Sequence, residues 1–142
     1  MLVKECFLEC RFNDISVQVR MRCVQYSMHF LLNHPKLRDD ITESLRQRQH
    51  DPEETVRYEV VMAIISAAKK DFTAITEELL NFVKERTLDK KFKIRKEALL
   101  GLALLYKQHM SSVELPQSTL ECIAWIKNKV LHVYYQTALD DR

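Results

Sequence analysis

The sequence predicts an all-α chain, built as an α-solenoid of stacked helix pairs. Three observations lead there. Glycine and proline are almost absent, with one glycine and three prolines in 142 residues, so hairpin turns have little to build on. A short heptapeptide recurs at even spacing, and the segments between its copies carry apolar residues at helical intervals. With 46% hydrophobic and 30% charged residues the chain can bury a core, which excludes a disordered tail.

The recurring unit is DISVQVR at residues 14–20, DPEETVR at 51–57 and DKKFKIR at 89–95: an aspartate, four residues, a β-branched aliphatic and an arginine. The interval is within the range of HEAT-type units, two helices each. The predicted units are 1–33, 35–70 and 72–109, with a half unit at 117–136, about three and a half repeats in a single segment. Leading helices are expected around Val3, Cys6, Phe7 and Cys10, then on Leu37, Ile41 and Leu45, then on Phe72, Ile75, Leu79, Phe82 and Val83, and from Leu120 to Tyr134. Second helices are expected on Cys23, Val24, Phe30 and Leu31, on Val60, Ala63, Ile64 and Ala67, and on Ala98, Leu102 and Leu105. Asp51 reads as a helix N-cap with Pro52 at the first helical position, and Pro35 as another helix start. The apolar faces at both ends lack a polar capping unit, so the chain reads as a fragment of a longer superhelix.

The repeated charges suggest a ladder. Stacking should bring the aspartate of one turn close to the arginine of the next unit, which assigns Asp14, Arg20, Asp51, Arg57, Asp89 and Arg95 a structural role.

Little else points to chemistry. The five histidines have no metal-ligand spacing, and one glycine cannot make a phosphate-cradling loop. Cys6, Cys10, Cys23 and Cys122 sit among apolar neighbours and read as reduced core thiols. Acid pairs such as Asp39 and Asp40 lie at helix starts, where the helix dipole explains them. No enzyme, metal or cofactor is expected. Nor is a membrane span, since no apolar run is long enough. Trp125, Tyr134 and Tyr135 read as packing against a following helix.

Net charge is only +2, but its distribution is uneven. Lys84, Arg86, Lys90, Lys91, Lys93, Arg95 and Lys96 crowd residues 84 to 96 against Glu85 and Asp89, and Lys69 and Lys70 are expected to approach the same surface. Clustered cations attract polyanions or acidic partners. Phe92 is the one ring among them, so base stacking is not indicated, and it reads equally as core.

The stretches NHPKL, HDPEETVR, VKERTLDKKFKIRKEALLGLALLYK and AWIKNKVLHVYYQ followed by DDR closely resemble the cohesin-associated family named for precocious dissociation of sisters. The likeness runs from about Asp14 through nearly the whole chain. It implies a nuclear, chromatin-associated HEAT-repeat scaffold without catalytic activity that regulates sister chromatid cohesion. The partners it implies are the cohesin kleisin subunit, the wings-apart-like release factor, sororin and the cohesin acetyltransferase. Some members bind inositol hexakisphosphate, so an inositol-polyphosphate or nucleic-acid module using the basic cluster is the alternative function.

Overall fold

A computed structural model describes residues 11–109 and Asn128. The expected leading helix over residues 3–10 lies outside the described residues, as do Trp125, Tyr134, Tyr135 and all of the last expected helix over 120–134 but Asn128. Five α-helices are described, α1 (Val17–Asn33), α2 (Arg38–Arg48), α3 (Glu54–Lys70), α4 (Glu77–Arg86) and α5 (Phe92–His109), with 3-10 turns at Pro35–Leu37 and Phe72–Ala74. No strand occurs among the described residues. The fold is all-α, of HEAT-type helix pairs.

Each helix follows from its apolar spacing. In α1, Arg20, Val24, Ser27 and Leu31 are buried at steps of three and four, one continuous stripe. Ser27 is fully buried, and its hydroxyl donates to the Val24 carbonyl at 2.5 Å. A polar atom there needs no outside partner, and the small side chain lets α1 lie against α3. Helix α3 buries Val56, Val60, Val61, Ala63, Ile64, Ile65, Ala67 and Ala68, which is more than one face. It packs against α1, α2 and α4 together, so it has few solvent-facing positions. Truncating a fully buried residue such as Ile64 to alanine should cost about 2–5 kcal/mol.

Helix α2 buries Ile41, Thr42 and Leu45, and α4 buries Leu79, Leu80, Phe82 and Val83. These two helices are bridged on their exposed sides by Arg46, which reaches Glu78 as well as its own neighbour Glu43. Two compact units make up the chain, Met1–Ala98 and Leu99–Arg142. In the first, α5 contributes buried Ile94 and Ala98; in the second, it contributes buried Gly101, Leu102 and Leu105.

Helix starts depart from the expectation in two places. The Asp51 carboxylate accepts a hydrogen bond from the Glu53 amide at 2.9 Å, making a side-chain turn that delays α3 until Glu54. Asp51 is therefore not the N-cap; that position is Glu53, whose side chain makes no capping bond. Similarly, Phe72 and Ile75 lie ahead of the helix they were expected to join. Asp71 accepts from the Thr73 amide at 3.0 Å and winds Phe72–Ala74 into a 3-10 turn. Thr76 then caps α4 by accepting from the Leu79 amide at 3.3 Å. Pro35 opens a 3-10 turn, with α2 following directly.

Candidate functional site

The turns that enter α1, α3 and α5 form a polar edge with one repeated geometry. At the second turn the Asp51 carboxylate accepts from Arg20 Nε at 2.9 Å and Arg20 Nη2 at 3.2 Å. It also accepts from Arg48 Nη1 at 2.8 Å and the Glu53 amide at 2.9 Å. The third turn repeats this arrangement: Asp89 accepts from Arg57 Nε at 2.9 Å and Nη2 at 3.2 Å, from Arg86 Nη1 at 3.1 Å and from the Lys91 amide at 2.9 Å. Both carboxylates are buried, and four donors offset their desolvation. Burial pushes the Asp89 carboxyl up, but the Arg57 and Lys91 hydrogen bonds and the charges of Arg57 and Arg86 outweigh it and hold the group below its ordinary value.

The ladder runs in the opposite sense to the one expected. The arginine of each turn reaches the aspartate of the following turn, Arg20 to Asp51 and Arg57 to Asp89. The reason is the third guanidinium nitrogen. Arg20 Nη1 donates to the Asp14 and Ile15 carbonyls at 2.8 and 2.9 Å, and Arg57 Nη1 to the Asp51 and Pro52 carbonyls at 2.8 and 3.2 Å. With one corner held by its own turn, the Nε–Nη2 edge can only face forward. Arg95 Nη1 binds the Asp89 and Lys90 carbonyls in the same way, at 2.8 and 3.1 Å. Asp14 accepts from the Ser16 amide at 2.8 Å and lies 3.8 Å from Arg11.

Arg11 and Arg48 form a second set that sequence reasoning missed, together with Arg86, which it had counted only as part of the basic cluster. All three stand three residues before their aspartates. The signal was present as R-x-x-D ahead of each heptapeptide.

The basic cluster is thinner and more divided than its sequence density suggests. Arg86 is committed to Asp89, and Lys91 pairs with Glu54 at 3.2 Å. Lys93 places its ammonium 4.5 Å from the centre of the Tyr58 ring. Lys84 is half-buried, while Lys90 and Lys96 are exposed; the Lys90 ammonium has no ion pair among the described residues. Lys69 and Lys70 do not join them. They end α3, whereas Lys91 touches Glu54 at its start, and the intervening length is roughly 24 Å at 1.5 Å per residue. Phe92 is not core: it is exposed at the first position of α5.

Between the second and third turns lies a cleft of about 610 Å3. Its lining includes Arg57, Arg86, Asp51 and Asp89, together with Pro52, Leu88, Lys90 and Lys91. His50 lies there too, 3.7 Å from Glu85. Among the described residues no group of three or more His, Cys, Asp or Glu could hold a metal ion, and no helix is long and apolar enough to cross a membrane.

Paired helices joined by arginine-locked turns define a HEAT-type repeat protein, a class that presents its helix and turn surfaces to other macromolecules. The family model described as "Sister chromatid cohesion protein PDS5 protein" matches residues 5–142. The chain is 51% identical over 138 residues to the sister chromatid cohesion protein PDS5 homolog B-B of Xenopus laevis, covering 97% of this chain and 9% of that protein. It is 50% identical to the human PDS5 homolog B and to the mouse PDS5 homolog A, each over 97% of this chain and 10% of the relative. This chain belongs to the PDS5 family of sister chromatid cohesion proteins. It spans about a tenth of the length of the curated relatives it matches.

Proposed function

We propose that the chain is a non-catalytic scaffold segment of a cohesion regulator that works in the nucleus on chromatin, holding the kleisin subunit of cohesin and the factors that release or maintain it. The wings-apart-like factor, sororin and the cohesin acetyltransferase are the further partners of this reading. The observation that carries it is identity of about half, over 97% of the chain, to proteins named for sister chromatid cohesion. The turn geometry supports it: the most heavily bonded polar groups are spent on fixing turns, and what they leave outward is a rim of lysines suited to an acidic partner.

Replacing Lys90, Lys91 and Lys93 with glutamate tests the reading. All three are exposed, so the fold should survive. Immobilised wild-type chain should retain cohesin from nuclear extract, detected by immunoblot of the kleisin. The triple variant should retain at least tenfold less, and a Lys69→Glu, Lys70→Glu variant should match wild type. Undiminished retention by the triple variant would remove the lysine rim from the interface. No retention by wild type would remove the reading itself.

A further inference from the structure

The cleft between the second and third turns has a feature that turn formation does not require. Leu88 is 69% exposed at its edge. The residue immediately before the aspartate is Asn13 in the first turn and His50 in the second, so the turn accepts polar side chains there. A leucine left in water beside exposed Pro52 gives up the gain of burial without any structural return.

Charge adds a second constraint. Arg57, Arg86, Lys90 and Lys91 line the cleft against two carboxylates, Asp51 and Asp89. Both carboxylates are saturated by arginines, and Lys90 has no ion pair among the described residues. Arg86 Nε is buried without a hydrogen-bond partner. A volume of about 610 Å3 is in the range that holds a compact ligand or a few side chains.

We infer that this cleft takes a short acidic peptide with an aliphatic side chain between its carboxylates, the aliphatic group seated on Leu88 and Pro52 and a carboxylate on Lys90. The inference rests on the partner-binding reading above and names the chemistry of the segment bound. A nucleic-acid backbone or an inositol polyphosphate fits less well. The edge of the cleft is hydrocarbon, which an aliphatic side chain covers and a phosphate does not, and Lys69 and Lys70 are too far away to add the charge a polyphosphate needs.

Fluorescence anisotropy on the full 142-residue chain tests it, with a fluorescein-labelled Gly-Glu-Leu-Glu-Ile-Glu-Gly peptide as the probe. Binding should saturate, and Leu88→Ser and Lys90→Glu should each weaken it about tenfold or more, the scale set by burying one leucine. A probe with serine in place of its leucine and isoleucine should lose as much. Unchanged circular dichroism melting of both variants would separate this from unfolding. Absence of binding, or affinity indifferent to Leu88→Ser, overturns the inference. So does displacement of the probe by inositol hexakisphosphate or duplex DNA with equal affinity for wild type and Leu88→Ser. The cohesin pull-down keeps the two readings apart. Kleisin retention lost with the triple lysine variant but intact with Leu88→Ser leaves the scaffold reading standing and sinks this one.

Discussion

Replacing Arg57 by alanine removes four hydrogen bonds at once, two to the Asp89 carboxylate and two to the Asp51 and Pro52 carbonyls. The side chains of Arg57 and Asp89 are 11% and 1% exposed, so their partners cannot all turn to water. Breaking a buried pair of this kind costs about 3–5 kcal/mol. Asp89 keeps Arg86 and the Lys91 amide, which places Arg57→Ala at the lower end, about 3 kcal/mol. Asp89→Ala leaves two guanidinium groups facing one another and should cost about 4 kcal/mol. Urea unfolding followed by circular dichroism at 222 nm (about that wavelength, the helix signal) reads both, with the slope m held constant between variants. The double variant should fall short of the sum by about 2 kcal/mol, because the shared contact is lost only once. Arg46 and Glu78 supply the contrast: their side chains are 45% and 44% exposed, and the same cycle there should give under about 1 kcal/mol. A coupling for Arg57 and Asp89 no larger than that of Arg46 and Glu78 would refute the claim that the forward rung locks adjacent turns.

Acid should find the same rung. The Asp89 carboxyl lies below its ordinary value when folded, so its contribution is fully present above the unfolded carboxylate range near pH 4 and fades as pH falls through the folded value; Asp89→Asn should flatten that part of a urea-midpoint profile between about pH 7 and 3. Thr76→Ala removes the cap of α4 and should cost about 1 kcal/mol, read by the same urea titration. Gln49 works the other way. It is 2% exposed with Oε1 unpartnered, so Gln49→Met should raise the urea midpoint by an amount equivalent to about 1 kcal/mol.

The helices were legible because burial at steps of three and four is written in the residue types: Val24 and Leu31, Ile41 and Leu45, Ala98 and Leu102 stand where the pattern put them. Their starts were less legible, because carboxylates that look like caps had other engagements. Asp51 is drawn to Arg20 and Arg48 and holds only the Glu53 amide, so α3 begins late. The direction of the ladder was hidden for a related reason. Equal spacing of aspartates and arginines allows pairing forward or backward, and what decides is the pair of carbonyls that fixes Nη1, which no residue type announces. Lys69 and Lys70 misled because proximity in sequence to a turn cluster says nothing about the helix length between them.

The double arginine clamp bears on function through rigidity. One arginine of each clamp comes from the same turn, three residues before the aspartate, and the other from the turn before it. The local one can orient the carboxylate whether or not the neighbour is in place; the distant one fits only when adjacent turns are in register. The second and third turns are thus each fixed twice, and the side chains they carry outward, Pro52 from the second and Leu88 and Lys90 from the third, are held at set positions before any partner arrives. A surface ordered in advance loses less conformational entropy on association, which would favour the peptide binding proposed for this edge. It follows that Arg57→Ala should weaken peptide capture at the cleft even where the chain stays folded, by loosening the positions of Pro52 and Leu88 relative to each other.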